Sequence, residues 1–328
     1  MKTTTSGKSV VDAVGAIPSQ SGKLAMVTGA NSGIGWYTAL ELARAGGEVI
    51  IATRSVGKAR EAIQRIQRQL PSAKVRFEEL DLASLRSVRA FAERINQESK
   101  LDLLVNNAGV MAVPQRRVTE DGFELQLGTN FLGHFALTGL LLPVLRRAPS
   151  PRVTTVSSGA ANLGLKRINF EDLQWEQSYG AWKAYCQSKL ADLMLTLELG
   201  RRSAEAGIGL LSNAAHPGWA RTNLQTSGPG RSQNVIEKIA GFFLSQDAAH
   251  GALPTLRAAT ALEAVPGSYY APDGLFGLKG NPVLTPIPKP ALDRVAARQL
   301  WDMAEKLTGV SWHFEERARI RSEVKSRK

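Results

Sequence analysis

Lys23-Leu24-Ala25-Met26-Val27 runs directly into Thr28-Gly29-Ala30-Asn31-Ser32-Gly33-Ile34-Gly35, and the succession of these two stretches decides the fold. The first reads as a short buried strand. The glycines behind it supply what a turn beneath a phosphate needs: positive φ, a backbone bare enough for pyrophosphate to approach, and close contact between strand and helix. A helical pattern, Trp36–Ala45, follows at once, so the free N–H groups of its first turn would face an anion held in the turn. A glycine trio alone also fits an ordinary strand-to-helix connection, and its place behind the first strand is what favours phosphate binding.

Outward from this turn the chain alternates. Short apolar runs at Glu48–Thr53, Val75–Leu80, Leu101–Val105, Val153–Val156 and Gly209–Asn213 are separated by helix-period segments, such as Ala59–Leu70 with Ala62, Ile63, Ile66 and Leu70 on one face. Repeated strand–helix–strand units predict an α/β fold: a single doubly wound parallel sheet with right-handed crossovers and helices on both faces. Residues 1–22 read as a lead-in and 23–275 as the main domain, which carries this alternation. Within it, 219–246, with Gly228-Pro229-Gly230, reads as a substrate loop. Residues 276–328 form a C-terminal extension, Pro-rich at first, helical from Ala291 to about Leu307, and basic at its end.

Composition narrows the function. Hydrophobic residues make up 43% of the 328, enough for a sizeable core. Lys and Arg number 41 against 29 Asp and Glu, a formal charge of +12. That charge is scattered, its densest run (Arg317, Arg319, Arg321, Lys325, Arg327, Lys328) is broken by glutamates, and no helix-turn-helix, zinc-ligand or aromatic RNA-binding pattern accompanies it. Nucleic acid is therefore not the expected partner. Cys186 is the only cysteine, which excludes an intrachain disulfide and a thiolate metal cluster. Met1–Gln20 lacks the apolar run of a signal peptide, and no stretch reaches the ~20 apolar residues that span a bilayer, so a cytoplasmic protein without an integral membrane segment is expected.

The carboxyl ends of the predicted strands carry the polar residues. The second strand ends in Ala52-Thr53-Arg54, with Lys58 shortly after, where an NAD-preferring site would present a carboxylate to the ribose. A guanidinium there suits a 2′-phosphate, which favours NADP(H); a merely solvated arginine is the alternative. Asp81-Leu82 follows the third strand and Asn106-Asn107-Ala108-Gly109 the fourth. Tyr185 and Lys189 lie four residues apart in the helical stretch Gly180–Arg202 and so share a face. An adjacent ammonium favours the phenolate and brings a tyrosine towards the working range of an acid–base catalyst.

Taken in order, these motifs resemble the short-chain dehydrogenases/reductases, from about Gly22 to Asp273. The spacing T-G-x-x-x-G-I-G over Gly29, Asn31, Ser32, Gly33, Ile34 and Gly35 is the first specific sign. The resemblance implies a Rossmann fold, with Asp81 and Leu82 flanking the adenine and the Asn107-Ala108-Gly109 turn touching the adenosine side. In Val153-Thr154-Thr155-Val156-Ser157-Ser158-Gly159 it assigns Ser158, with Ser157 as runner-up, as the donor to the carbonyl oxygen. Asn130, in Gly128-Thr129-Asn130-Phe131-Leu132-Gly133-His134, would hold a water linking Lys189 to solvent, while Lys189 also holds the nicotinamide ribose. His216-Pro217-Gly218-Trp219-Ala220-Arg221-Thr222 matches the element that lies against nicotinamide, with Pro217, Gly218 and Thr222 as contacts. His134 and His216 are left structural, since the tyrosine mechanism has no task for them, and Cys186 reads as a small buried hydrophobe.

Finer features resemble the retinol-dehydrogenase-like branch: an enlarged interval between Ser158 and Tyr185 that contains Ile168-Asn169-Phe170-Glu171-Asp172-Leu173-Gln174, and Tyr185-Cys186-Gln187-Ser188-Lys189-Leu190-Ala191 itself. The apolar anchor of the membrane-bound members is not seen, so a retinoid substrate is not carried over. The activity implied is interconversion of a carbonyl and an alcohol on a small-to-medium apolar molecule, with Trp175, Trp182, Trp219 and Phe242–Leu244 either lining its pocket or packing. Two other readings stay open: reduction of a C=C bond, as in protochlorophyllide reductases, and a non-catalytic NADP(H) sensor, against which the intact Ser, Tyr and Lys argue. A homo-oligomer is also left open, because members of the family include monomers, dimers and tetramers.

Overall fold

The computed structural model describes residues 17–218, 247–274 and 277–314. Its strands are β1 Leu24–Thr28, β2 Glu48–Thr53, β3 Val75–Glu79, β4 Leu103–Asn106, β5 Arg152–Val156, β6 Leu211–Ala215, β7 Tyr269–Pro272 and β8 Pro282–Leu284. They form one sheet in the order β3-β2-β1-β4-β5-β6-β7-β8. Pairing is parallel from β3 through to β7, and β8 adds antiparallel at the edge. The chain winds outward from β1 to β3, returns to β4 beside β1, and winds outward the other way. The crevice where the order reverses is where such sheets take ligands.

The helices are α1 Gly33–Arg44, α2 Val56–Gln69, α3 Leu85–Ile95, α4 Gly133–Leu140, the short α5 Leu142–Leu145 and α6 Ala160–Leu163, α7 Ala181–Glu205, α8 Ala248–Thr260 and α9 Arg294–Thr308; a π-helical turn, Leu127–Leu132, leads into α4. Short side chains set several starts. Ser55, Ser84, Asp247 and Asp293 each accept a backbone N–H from the first turn of α2, α3, α8 and α9, and Gly309, at φ 61°, ends α9. No described helix is long and apolar enough to cross a membrane.

Each inner strand is buried on both faces, which explains why its sequence runs apolar without alternation. Leu24, Met26, Ile50, Ala52 and Leu104 point to one core, shared with Phe91, Phe135, Leu190 and Trp301 of α3, α4, α7 and α9. Ala25, Val27, Val49, Ile51, Leu103 and Val105 point to the other, with Leu40 of α1, Ile66 of α2 and Leu256 of α8. At about 1.5–3 kcal/mol for each large side chain withdrawn from water, this burial holds the strand ends in place. The C-terminal helix joins the first core through Trp301, whose ring lies 5.0 Å from Phe135 and 4.7 Å from Trp312, with the Arg202 guanidinium 4.4 Å above it.

The sequence reading places these strands to within two or three residues. It predicts neither α3 nor the π-helical turn, nor β7 and β8. Helix α1 also starts earlier than Trp36: Gly33 and Gly35 of the turn are already its first residues.

Candidate active site

The glycine turn is built against the fourth strand. Gly29 and Gly33 take φ of 67° and 57°. A β-carbon on Gly29 would stand 2.9 Å from that of Ala108, and one on Gly35 would stand 2.5 Å from Asn107 Nδ2 and 2.9 Å from the Gly29 carbonyl oxygen. Ser32 precedes α1 in extended conformation without capping it through its side chain, and no acidic residue lies in the first turn. The N-terminus of α1 thus keeps its N–H groups for an anion. Asn31 does not face outward alone: its Oδ1 accepts from the Thr53 hydroxyl at the end of β2, 3.1 Å away. These features fit a dinucleotide pyrophosphate.

Thr28, fully buried at the end of β1, organises the turn after β4. Its Oγ1 accepts from the backbone N–H of Asn107 and of Ala108, each at 2.9 Å, and lies 2.9 Å from His134 Nε2. Asn107 Nδ2 donates to the Thr28 carbonyl at 2.7 Å. Burial lowers the His134 imidazole to about 3, so it is neutral; with Nδ1 donating to the Asn130 carbonyl at 2.8 Å, Nε2 accepts from the Thr28 hydroxyl. Sequence reading leaves His134 without a catalytic task, and the structure gives it this bridging one.

Asn130 lies within the π-helical turn, a distortion often found at functional sites. Its Oδ1 accepts from Val110 N–H at 2.8 Å, and its Nδ2 is 2.9 Å from both the Val110 carbonyl oxygen and Ser188 Oγ. The turn is anchored by Glu124, which the sequence did not single out. Both of its carboxyl oxygens accept backbone N–H bonds, from Gln126 and Leu127, and burial raises its pKa despite them. Gln126 in turn donates to Tyr179 Oη and the Ala181 carbonyl, and Gln174 accepts from Glu124 N–H, so the enlarged interval before Tyr185 is stitched to this segment.

Helix α7 brings Tyr185 and Lys189 to the carboxyl end of β5. Ser158, whose Oγ accepts from Ala160 N–H at 3.2 Å, is near enough to Tyr185 to favour its phenolate. Ser157 is turned away, its hydroxyl donating to the Lys189 carbonyl at 2.7 Å, which leaves Ser158 as the serine that faces the phenol. Lys189 Nζ donates to the Val156 carbonyl and to Asp192 Oδ2, both at 2.9 Å. Burial raises the Tyr185 pKa, and the pull of Lys189 and of Ser158 opposes it without winning. In the chain alone, then, the phenol is held protonated, where the sequence suggested a phenol lowered by its lysine; the desolvation of a side chain only 5% exposed is the larger effect.

The remaining candidates are spread around this centre. Arg54 is exposed at the end of β2 and Lys58 lies in the first turn of α2. Asp81 Oδ1 accepts from Ala83 N–H at 2.9 Å, and buried Leu82 packs where α4 begins, against Gly133. His216, lowered to about 4 chiefly by burial, accepts at Nδ1 from Gly159 and Gly218 N–H and so ties the segment after β6, with Pro217, to the one after β5. Trp182 is 42% exposed with its ring 5.6 Å from that of Tyr185, while Trp175 is buried at φ 52°. Thr222, Trp219 and Phe242–Leu244 lie outside the described residues, as does the rest of the loop 219–246. Among the described residues no His/Cys/Asp/Glu cluster could hold a metal ion.

A family model described as short chain dehydrogenase matches residues 23–230. Retinol dehydrogenase 13 of Mus musculus is 43% identical over 307 residues, covering 90% of this chain and 88% of its own. The crystal structure of a protein from Mycobacterium paratuberculosis superposes with a TM-score of 0.73 at 42% identity, over 90% of this chain and 97% of that one. The RhlG/NADP complex of Pseudomonas aeruginosa shares the fold, with a TM-score of 0.63 at 24% identity over 80% of this chain and 100% of its own.

Proposed function

This chain belongs to the short-chain dehydrogenase family, in its retinol-dehydrogenase-like branch, and on that premise we propose that it is an NADP(H)-dependent oxidoreductase that interconverts a carbonyl and an alcohol on an apolar substrate. One observation carries the reading: α7 and β5 bring the Tyr185 phenol, the Ser158 hydroxyl and the Lys189 ammonium together at the carboxyl edge of the sheet, on the side where the glycine turn opens.

The bound dinucleotide supplies or accepts the hydride. Gly29–Gly35 and the first turn of α1 would hold its pyrophosphate, Asp81 and Leu82 its adenine, and the Asn107-Ala108-Gly109 turn its adenosine side. Arg54, for which no carboxylate partner is found among the described residues, supports the preference for a 2′-phosphate, with Lys58 beside it. Pro217, Gly218 and Thr222 would lie against the nicotinamide.

In reduction, Ser158 and Tyr185 orient the carbonyl oxygen by donating hydrogen bonds to it. Tyr185, kept protonated by burial, gives its proton from Oη to that oxygen as negative charge develops. Lys189 lowers the cost of the phenolate left behind, and Asn130 holds the segment that faces it. In oxidation each step reverses, and Tyr185 takes the alcohol proton. An apolar substrate is favoured because Met111 and Ala160 pack with Tyr185 and Trp182 stands half-exposed beside its ring.

The test is absorbance at 340 nm with NADPH or NADH and a panel of apolar aldehydes and ketones. Turnover with NADPH is expected, together with a loss of at least ~100-fold in kcat for Tyr185→Phe and tight cofactor binding retained. Turnover that survives Tyr185→Phe would exclude this phenol as the proton donor.

A further inference from the structure

The proton transfer proposed above has no use for Asp192, yet this carboxyl is 1% exposed on α7, three residues beyond Lys189, with Oδ2 2.9 Å from the ammonium. Its second oxygen, Oδ1, is buried with no hydrogen-bond partner among the described residues. Withdrawing a carboxylate from water is unfavourable, and a residue needed only to fill space here would be apolar, as Leu190, Ala191 and Leu193 around it are.

An ammonium has three N–H donors. One of those on Lys189 goes to the Val156 carbonyl and one to Asp192. The remaining side of Nζ is open towards Gly109 and Asn130: a β-carbon on Gly109 would stand 3.8 Å from Nζ and 3.1 Å from Asn130 Oδ1. The missing side chain keeps that approach clear.

We propose that Asp192 is a positioning residue for the redox chemistry: with the Val156 carbonyl it fixes two donors of Lys189 so that the third faces the reacting groups, and its charge offsets the pull of the ammonium on the Tyr185 phenol. The inference rests on the roles given to Tyr185 and Lys189 above. Few other groups face the pair. Among the described residues, α7 contributes Tyr185, Cys186 and Ser188; the π-helical turn and α4 contribute Asn130 and His134, a neutral imidazole that feels the Lys189 charge; β5 and the residues just after it contribute the Val156 carbonyl and the Ser157 and Ser158 hydroxyls. Burial alone would lower the Lys189 pKa, and Asp192, by its charge and its hydrogen bond, is the main group that carries it above its ordinary value. Burial raises the Asp192 carboxyl to about 6 even beside the ammonium, so its offset is halved near that pH, becomes complete well above it and fades below it.

Asp192→Asn removes the charge while keeping the shape and an oxygen for Lys189 to bond. In the full chain with NADP+ bound, the Tyr185 ring is titrated by NMR of 13Cζ-labelled tyrosine, its signal identified by its loss in Tyr185→Phe, and the pH profile of alcohol oxidation is recorded alongside. Removing a negative charge favours the phenolate, so both midpoints are expected to move to lower pH by about one unit. Unchanged midpoints, or movement to higher pH, overturn the inference. If Asp192→Asn does not fold, Asp192→Ser is held to the same criterion. Turnover that survives Tyr185→Phe would instead sink the reading of the phenol, and the NMR midpoint would still report on Asp192.

Discussion

Thr28→Val tests how the glycine turn is held. The two side chains have nearly the same shape, but the hydroxyl that is lost accepts two backbone N–H bonds, from Asn107 and Ala108, and bonds His134 Nε2, all at 2.9 Å. Each bond is worth about 1 kcal/mol net, and a buried partner left unpaired costs about 1–3 kcal/mol. Asn107 and Ala108 are half-buried and recover part of their loss from water, whereas His134, 1% exposed, cannot. The expected destabilisation is therefore about 2–5 kcal/mol, measured by urea unfolding, or roughly 3–7 °C in Tm. Because the turn at Asn107-Ala108 is released, NADPH affinity should fall as well, by about tenfold or more in a fluorescence titration, since a lost anchor of ~1.4 kcal/mol is already a factor of ten. Thr28→Ser, which keeps the hydroxyl, should bind NADPH as the unaltered protein does. Thr28→Val within 0.5 kcal/mol of the unaltered protein, or Thr28→Ser equally damaged in cofactor binding, would refute this account.

Arg54→Ala should raise KM for NADPH by roughly tenfold and leave KM for NADH unchanged, because it removes a charge-assisted bond that only the 2′-phosphate can make; equal effects on both would end the case for NADP(H) preference. Acid should destabilise the fold from about pH 6.5 downward. His134 and His216 are neutral when folded, at about 3 and about 4, and take up protons near 6.5 when unfolded, so each withdraws about 1.4 kcal/mol per pH unit below that value. Asp192 opposes them, since at about 6 it binds its proton more readily folded than unfolded. The net slope near pH 5 is thus expected to be about one proton, and His134→Gln should reduce it if the variant folds; a flat stability profile between pH 6.5 and 5 would count against at least one of the two buried imidazoles. Cys186, 1% exposed and pushed up to about 11 by burial, should resist a disulfide reagent at pH 8 until the chain unfolds. Rapid labelling of the native protein would contradict that burial.

Strands and glycine turn were legible because they rest on local rules. A strand buried on both faces must be apolar throughout, and a backbone that meets Ala108 at 2.9 Å from a notional β-carbon must be glycine. Tyr185 and Lys189 were legible because four residues make one helical turn. The same rule, applied at three residues, would have shown Asp192 as a charge partner of Lys189. What could not be read depended on distant contacts. Glu124 looks like a surface acid until the N–H groups of Gln126 and Leu127 are seen to enclose it, and α3 is recognised by Ser84 capping only once its apolar face meets the core. The protonation of Tyr185 was misjudged for the same reason: a lysine neighbour is visible in sequence, whereas burial is a property of the whole fold.

The bridging residues also explain why the glycine turn and α7 need not be treated as separate modules. From β1, the Thr28 hydroxyl reaches His134 Nε2, and His134 Nδ1 reaches the Asn130 carbonyl; Asn130 Nδ2 reaches Ser188 Oγ, and Ser188 donates to the Tyr185 carbonyl at 2.8 Å. Every member is buried, so none can exchange its partner for water without penalty. The glycine turn and the helix that carries the phenol are therefore fixed relative to one another by a continuous line of bonds through the π-helical turn. Hydride transfer and proton transfer must meet on two adjacent atoms of one substrate, and misplacement by about 1 Å can cost about 100-fold in rate. Double substitutions along this line, such as Thr28→Val with Ser188→Ala, should accordingly be non-additive in kcat, by about 0.5–3 kcal/mol, although the two side chains do not touch. Strict additivity would mean that the line transmits no constraint and that packing alone aligns the two halves of the site.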